Sequence, residues 1–182
     1  MKNTHLPLKA LFLDRDGIVN IDHGYVHDIT DFEFTDGIFD LVTLFKDAGY
    51  TIFIVTNQSG IGRGYYSLQE FQALTAWMKA QFASKEIEIT ETFFCPHRPD
   101  EGCHCRKPKT GMIEACLEKY PVNLAHSWMI GDKQSDIDFA SNAGIGHTIA
   151  IGNKDIKGAE YIFDSIMQCK RFLEENQGKI PL

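Results

Sequence analysis

The sequence alternates short apolar runs with amphipathic helical stretches, and this alternation limits the possible folds more than any other feature. The apolar runs are rich in β-branched and aromatic residues, which is typical of buried strands. We assign strands to Ala10–Asp14, Tyr50–Thr56, Thr92–Cys95, Ser127–Gly131 and His147–Ile151. Strands that alternate with helices predict an α/β fold, with a mostly parallel sheet and helices on both faces.

Two long helices are predicted from apolar residues that recur every three or four positions. The first covers residues 38–48, and Gly49 is placed to end it in a left-handed conformation. The second covers residues 68–82, where Ser67 and Glu70 have the spacing of a capping box at its start.

Two further helices follow the fourth predicted strand. Ser135 with Asp138 predicts the start of one, and Gly144 is placed to close it. The last helix begins near Asp164 and gives way to a polar tail over residues 177–182.

Composition predicts an ordinary soluble domain. The chain has 182 residues, of which 43% are hydrophobic and 24% charged, so we expect a single domain spanning residues 1–182. A chain of this length buries about 70% of the surface that its unfolded form exposes, and we therefore expect a monomer without disulfides. The first apolar run, residues 10–13, is too short for a signal peptide or a membrane span, which predicts a cytoplasmic protein.

The net charge of −7 disfavours nucleic acid and anionic lipid as partners. It also means that an anionic substrate would need a bridging cation.

Carboxylates gather where strands end. Asp14 and Asp16 follow the first strand and are separated by one residue, and Gly17 supplies a turn that can aim both at one ligand. Asp132 follows the fourth strand, and Asp136 lies on the first turn of the next helix. Parallel strands place their carboxyl ends at one edge of a sheet, so these acids are expected to converge. Oxygen-rich sites of this kind suit Mg²⁺.

A second polar segment, Thr56–Gly64, offers a hydroxyl, amides and a glycine-rich turn whose backbone N–H groups can surround an anion. It matches neither a P-loop nor a dinucleotide-binding fingerprint. Arg106, Lys107 and Lys133 add positive charge near the other strand ends.

A zinc-binding loop is predicted over residues 95–105. Three thiols and one imidazole fall within eleven positions, and they satisfy a closed tetrahedral site that leaves no position for water, so the zinc is expected to be structural. His104 is expected to point away, and Cys116 and Cys169 to pack in the core. The four predicted zinc ligands are Cys95, His97, Cys103 and Cys105.

Four motifs occur in order: D-R-D-G after the first strand, T-N-Q-S-G after the second, C-R-K-P, and G-D-K-x-x-D after the fourth. Together they resemble the phosphatases of the haloacid-dehalogenase (HAD) superfamily, from about Leu11 to Ile151. The sequence is most similar to the heptose bisphosphate phosphatases and less similar to the histidinol-phosphate phosphatases, a preference that rests on the segment Asp22–His27 and on T-N-Q-S-G-I-G-R-G. It departs from the usual pattern at Ile18, where threonine is common.

The resemblance implies a HAD-like Rossmannoid fold with three layers and assigns chemical roles. Asp14 would attack phosphorus and form an aspartyl-phosphate, while Asp16 would protonate the leaving oxygen and later activate water. Mg²⁺ would be held by Asp14, the backbone carbonyl of Asp16, and Asp132. Thr56 and Lys107 would bind the phosphoryl oxygens. The positions that the resemblance assigns to the rest of the substrate are Asp22, His23, Gly24, Tyr25, Asn57, Gln58, Ser59, Arg106 and Lys133.

The segment between Asp14 and Thr56 has room for one helix and a loop, so no large cap domain is expected. An open site suits a small phosphorylated sugar, and the resemblance implies removal of the C7 phosphate of heptose 1,7-bisphosphate in surface-polysaccharide precursor synthesis. Two alternatives stay open: a histidinol-phosphate phosphatase, and a zinc-containing binding module without catalysis. The acidic balance disfavours a nucleic-acid phosphatase.

Overall fold

A computed structural model of the protein describes residues 7–152 and 155–182. Its centre is one sheet of parallel strands. The strands are β1 (Ala10–Leu13), β2 (Thr51–Asn57), β3 (Ile89–Cys95), β4 (Trp128–Gly131), β5 (His147–Ile151) and β6 (Tyr161–Phe163). Their order across the sheet is β3-β2-β1-β4-β5-β6. All carboxyl ends therefore lie along one edge, with β1 between β2 and β4.

The helices that connect the strands cover both faces of the sheet. They are α1 (Ile38–Asp47), α2 (Ser59–Gly62), α3 (Leu68–Ala83), α4 (Gly111–Lys119), α5 (Gln134–Ala143) and α6 (Ile166–Glu175). Among residues 7–152 and 155–182, no helix combines the length and the apolar composition needed to cross a lipid bilayer.

Strand β1 shows how the layers are built. Leu11 and Leu13 belong to the apolar cluster that contains most of the buried side chains of α1, α3 and α6. Ala10 and Phe12 alternate with them and belong to the cluster formed with α4 and α5. Because the sheet is buried on both faces, its central strands are apolar throughout. The three-layer α/β fold predicted from the sequence is confirmed, and the described residues include no large cap domain.

Capping motifs in the sequence correctly predicted most of the helix boundaries. The capping box of Ser67 and Glu70 is present, and Gly49 and Gly144 both have positive φ angles at helix ends. The predicted start of α5 at Ser135 is wrong. The helix begins at Gln134, because the Asp136 carboxylate, rather than that of Asp138, accepts hydrogen bonds from the backbone that leads into it.

The structure adds three features that we did not predict. Strand β6 extends the sheet beyond β5, and β3 begins at Ile89 rather than Thr92. The C-terminal segment, expected to be a polar tail, packs against the amino ends of the strands. Ile180 is 8% exposed, and the Pro181 carbonyl accepts hydrogen bonds from the Tyr50 hydroxyl and the Trp128 indole.

Candidate active site

Three carboxylates converge at the carboxyl edge of the sheet. Asp14 follows β1, Asp132 follows β4, and Asp136 lies on the first turn of α5. Each offers an oxygen, and these oxygens lie within 4.8 Å of one another. They meet because β1 and β4 are neighbours, paired as far as Leu13 and Ile130.

Gly17 allows this convergence. It has a φ of +93°, and a Cβ atom at this position would lie 2.2 Å from Asp132 Oδ2. A side chain would therefore be strained and would also displace the Asp132 carboxylate. The glycine after the D-x-D pair is thus required by the close approach of a carboxylate from another strand.

Lys107 lies between two of the carboxylates. Its Nζ atom is 2.8 Å from Asp14 Oδ1 and 2.7 Å from Asp136 Oδ1, and it donates a hydrogen bond to the Val55 carbonyl. The residue is 4% exposed. Asn57 fixes its backbone, because Asn57 Oδ1 accepts from the Lys107 N–H and Nδ2 donates to the Lys107 carbonyl.

Burial and like charges raise the pKa values of Asp14 and Asp132. Burial raises the pKa of Asp14 to about 7, with the Lys107 charge opposing the rise and Asp136 and Asp132 adding to it. Burial likewise raises the pKa of Asp132 to about 6, against the opposing charge of Lys133. Burial lowers the pKa of Lys107, but the facing carboxylates outweigh it and the net shift is upward.

The cluster fits a hard divalent cation. Asp132 Oδ1 is buried and has no hydrogen-bond partner within the described part of the chain. Grouped carboxylate oxygens, one of them unpaired, are the donors that Mg²⁺ prefers. Asp14 and Asp132, predicted as ligands, are brought together. Asp136 adjoins them through Lys107, and it had been noted in the sequence only as a fourth acid.

Asp16 is held by side chains rather than by the carboxylate cluster. Arg15 Nη2 lies 2.8 Å from Asp16 Oδ1 and also donates to the Val26 carbonyl. Asn20 Nδ2 donates to Asp16 Oδ1, and Gln58 Nε2 donates to Asp16 Oδ2. The Asp16 side chain lines the same cleft as Asp14.

Thr56 is almost fully buried at the end of β2, and its hydroxyl accepts a hydrogen bond from Gln58 Nε2. The Tyr66 hydroxyl donates to Gln58 Oε1. Burial raises the pKa of Tyr66 to about 12, so its hydroxyl stays protonated at neutral pH. The only sequence signal for Tyr66 was an aromatic residue after the glycine-rich turn.

An open cleft of about 350 Å³ lies above Asp14. Thr56, Asp132 and His23 are absent from its lining, and His23 faces Glu33 instead. Tyr66 and Ser135 also line it, although the sequence did not indicate either as a site residue. The predicted residues that line the cleft are Asp14, Asp16, Asp22, Gly24, Tyr25, Asn57, Gln58, Ser59, Arg106, Lys107 and Lys133.

Positive charge borders the cleft. Lys133 Nζ lies 3.3 Å from Asp22 Oδ2, which joins the start of α5 to the loop after β1. Arg106 Nη1 is buried and has no hydrogen-bond partner among the described residues. Because a buried guanidinium nitrogen without a partner is costly, this atom is suited to bind an anion.

The predicted zinc ligands come together beside the cleft. Cys95 Sγ lies 3.5 Å from Cys103 Sγ, and His97 Nδ1 lies 3.2 Å from Cys105 Sγ. All four ligand atoms lie within 4.8 Å of one another. Tetrahedral zinc with Zn–S bonds of about 2.3 Å requires sulfur separations of about 3.8 Å. The donor set and spacing therefore fit Zn²⁺.

His104 and the other two cysteines lie as expected, outside this group of four side chains. His104 turns away, with its Nε2 atom 2.6 Å from Glu114. Cys116 and Cys169 are fully buried in the apolar clusters. Arg106 and Lys107 follow Cys105 directly, so an ordered loop would place both of them at the cleft.

Three similar proteins align with more than nine-tenths of this chain. The D-glycero-alpha-D-manno-heptose-1,7-bisphosphate 7-phosphatase of Campylobacter jejuni is 44% identical, covering 92% of this chain and 96% of the relative. The D-glycero-beta-D-manno-heptose-1,7-bisphosphate 7-phosphatase of Haemophilus influenzae is 40% identical, covering 91% of this chain and 97% of the relative. The corresponding beta-named enzyme of Helicobacter pylori is 43% identical, covering 91% and 94%.

Structural similarity agrees with these relatives. A D,D-heptose 1,7-bisphosphate phosphatase from B. bronchiseptica, crystallised with magnesium and phosphate, superposes with a TM-score of 0.82 at 26% identity, covering 93% of this chain and 99% of that one. The HAD-hydrolase-like family model matches residues 104–160. The chain belongs to the heptose-1,7-bisphosphate 7-phosphatase family of HAD-like hydrolases, and it is a phosphatase.

Proposed function

We propose that the protein is a Mg²⁺-dependent phosphomonoesterase that removes the C7 phosphate of D-glycero-D-manno-heptose 1,7-bisphosphate. The observation that carries the proposal is the convergence of Asp132 with Asp14 and Lys107, two residues that line an open, cation-bordered cleft. The relatives named above support the substrate. The product would serve the synthesis of nucleotide-activated heptose for lipopolysaccharide or another surface polysaccharide.

In this proposal the Asp14 carboxylate attacks phosphorus in line with the leaving oxygen. The bond from phosphorus to the sugar oxygen breaks, and Asp16, protonated at this stage, gives its proton to that oxygen. Asp16 then takes a proton from water, which attacks the aspartyl-phosphate and releases inorganic phosphate. Lys107 and Thr56 hold the phosphoryl oxygens, and Lys107 already lies in hydrogen-bonding contact with the nucleophile.

A bound divalent cation would offset the mutual repulsion of these carboxylates. Asp14, the Asp16 backbone carbonyl and Asp132 would hold Mg²⁺, and the bound ion would screen the phosphate dianion from the carboxylates. Asp132 Oδ1, buried and unpaired in the described chain, supports this assignment. Zn²⁺ would occupy the Cys95–Cys105 loop as a structural ion.

The rim would recognise the rest of the substrate. Arg106, with a buried nitrogen that has no partner among the described residues, would bind the second phosphate. Lys133 would add positive charge, and Asp22 and the half-exposed Tyr25 would contact the sugar.

A phosphate-release assay with Mg²⁺ tests the proposal. Its substrates are the α and β anomers of heptose 1,7-bisphosphate, with histidinol phosphate as the competing candidate. We expect release of one phosphate per heptose bisphosphate, and little from histidinol phosphate. Asp14→Asn should abolish release, whereas Asp31→Asn, on an exposed turn, should not. Preference for histidinol phosphate, or no release from any substrate, would refute the proposed function.

A further inference from the structure

The buried amide of Gln58 connects Asp16, which lines the cleft, to the buried hydroxyl of Thr56. Its Nε2 atom donates to Asp16 Oδ2 at 2.9 Å and to Thr56 Oγ1 at 2.8 Å. Its Oε1 atom accepts from the Tyr66 hydroxyl at 2.5 Å. A carboxamide has two N–H hydrogens. Both are used within the protein, so Gln58 has none left for a substrate.

The Tyr66 hydroxyl determines which way this amide faces. Asp16 Oδ2 and Thr56 Oγ1 both accept from Nε2, so Gln58 turns the NH2 end of its amide towards them. The opposite end then presents Oε1, which requires a donor. Without the Tyr66 hydroxyl, Oε1 would be buried and unpaired, and the amide would lose the contact that fixes its orientation.

The Tyr66 ring is itself held from two sides. A Cβ atom on Gly60 would lie 2.1 Å from the ring, so the ring rests directly on the glycine backbone. The His27 imidazole stacks parallel to it at 4.9 Å, with 6° between the planes. Tyr66 is 5% exposed and Gln58 is 2% exposed. The hydroxyl therefore has a fixed position relative to Gln58.

We propose that Tyr66 is a positioning residue that acts through Gln58 to orient the Asp16 carboxyl group for proton transfer to the leaving oxygen. The inference rests on the proposed function, in which Asp16 is the proton donor. It predicts that the contribution of Tyr66 depends on the leaving group. A sugar alkoxide needs a proton in order to leave, whereas p-nitrophenolate leaves readily without one.

The test compares Tyr66→Phe with the unchanged enzyme on heptose 1,7-bisphosphate and on p-nitrophenyl phosphate. Full general acid catalysis supplies about 10² to 10⁴-fold. Misorienting the acid should lower kcat on the sugar phosphate by about 10-fold or more, with KM little changed. On p-nitrophenyl phosphate the decrease should stay below about 3-fold. An equal decrease on both substrates would assign Tyr66 a merely structural role.

Tyr50→Phe is the matched control. Tyr50 is also 5% exposed, and its hydroxyl also donates to a carbonyl oxygen, but it lies before β2, at the opposite end of the sheet from the cleft. It should leave kcat on both substrates unchanged. If it produced the same selective loss, the effect of Tyr66→Phe would not come from the contact with Gln58, and the proposal would fail.

A double variant separates this inference from the proposed function. In an Asp16→Ala background, adding Tyr66→Phe should change neither rate further, because the group it orients is gone. Independent, multiplying effects would overturn the positioning role while leaving the proposed function intact. If Asp16→Ala itself showed no selectivity between the two leaving groups, the acid role of Asp16 in the proposed function would fail, and the inference with it.

Discussion

Lys107 Nζ lies 2.8 Å from Asp14 Oδ1, although the two residues are 93 positions apart in the chain. The same nitrogen lies 2.7 Å from Asp136 Oδ1, so one buried cation serves carboxylates from two other segments. Uncompensated carboxylates at this separation would repel one another strongly in a low-dielectric interior. Lys107 therefore stabilises the fold of the site as well as the phosphoryl group that the site is proposed to bind.

Replacing Lys107 tests both its contribution to stability and its proposed role in binding the phosphoryl group. We expect Lys107→Met to lower the free energy of unfolding in chelator by about 3 kcal/mol, because it leaves two buried carboxylates without their counter-charge. It should also lower kcat by about 100-fold or more. Urea denaturation and phosphate release measure the two effects. Lys170→Met removes a surface pair with Glu174 and should change neither. Unchanged stability of Lys107→Met would contradict the buried pairing.

Mg²⁺ binding should depend on pH. Asp14 and Asp132, with pKa values raised to about 7 and about 6, carry protons that the cation must displace. Affinity should therefore fall as the pH drops, by about 10-fold per unit between pH 7 and 6 and more steeply below. Calorimetric titration at several pH values measures this change, and buffers of different ionisation enthalpy report the released protons. Equal affinity at pH 5.5 and 7.5 would contradict the raised pKa values.

The same shifts predict how the metal-free protein responds to pH. Each carboxyl group holds its proton more tightly when folded than at its ordinary pKa of 3.8. The stability that these protons contribute is fully present below about pH 4 and is lost as the pH rises through 6 and 7. In chelator, the melting temperature should therefore decrease as the pH rises through 6 and 7. With saturating Mg²⁺, this decrease should disappear.

Zinc removal should affect the loop more than the domain. Ordering the eleven residues of the Cys95–Cys105 loop costs about 11 to 22 kcal/mol of backbone entropy, and a structural zinc contributes about 10 to 16 kcal/mol. Cys103→Ser should lose zinc. Because these values nearly cancel, the variant should keep its circular dichroism spectrum. Its KM should rise several-fold, since the loop would no longer hold Arg106 at the cleft. Cys169→Ala, outside the cluster, should keep its zinc. Global unfolding under a zinc-selective chelator would contradict this expectation.

The C-terminal segment should matter for stability and not for turnover. Deleting residues 179–182 removes the buried Ile180 side chain and the Pro181 carbonyl that accepts from Tyr50 and Trp128. We expect a loss of about 2 to 4 kcal/mol in unfolding free energy. The rate of phosphate release below the melting temperature should not change, since these contacts lie away from the cleft. Lys179→Ala, an exposed change in the same segment, should be nearly neutral.

Much of the site could be predicted from the sequence because its elements are local. A carboxylate at the end of an apolar run lies at the carboxyl edge of a parallel sheet wherever that strand is placed. Cys95, His97, Cys103 and Cys105 are close in the chain, so their clustering needs only a short loop. Capping signals such as Ser67 with Glu70 likewise act within one turn of helix.

The tertiary structure decided the contacts that join distant segments. The sequence did not specify the strand order, and that order alone places β1 between β2 and β4, where Asp14 meets Lys107 and Asp132. The packing of the chain also brings the buried Ile180 and the Pro181 carbonyl to the amino ends of β2 and β4. Local patterns show which residues are buried and where elements end. Which buried residues touch depends on how the layers pack together, because that packing is a property of the whole chain.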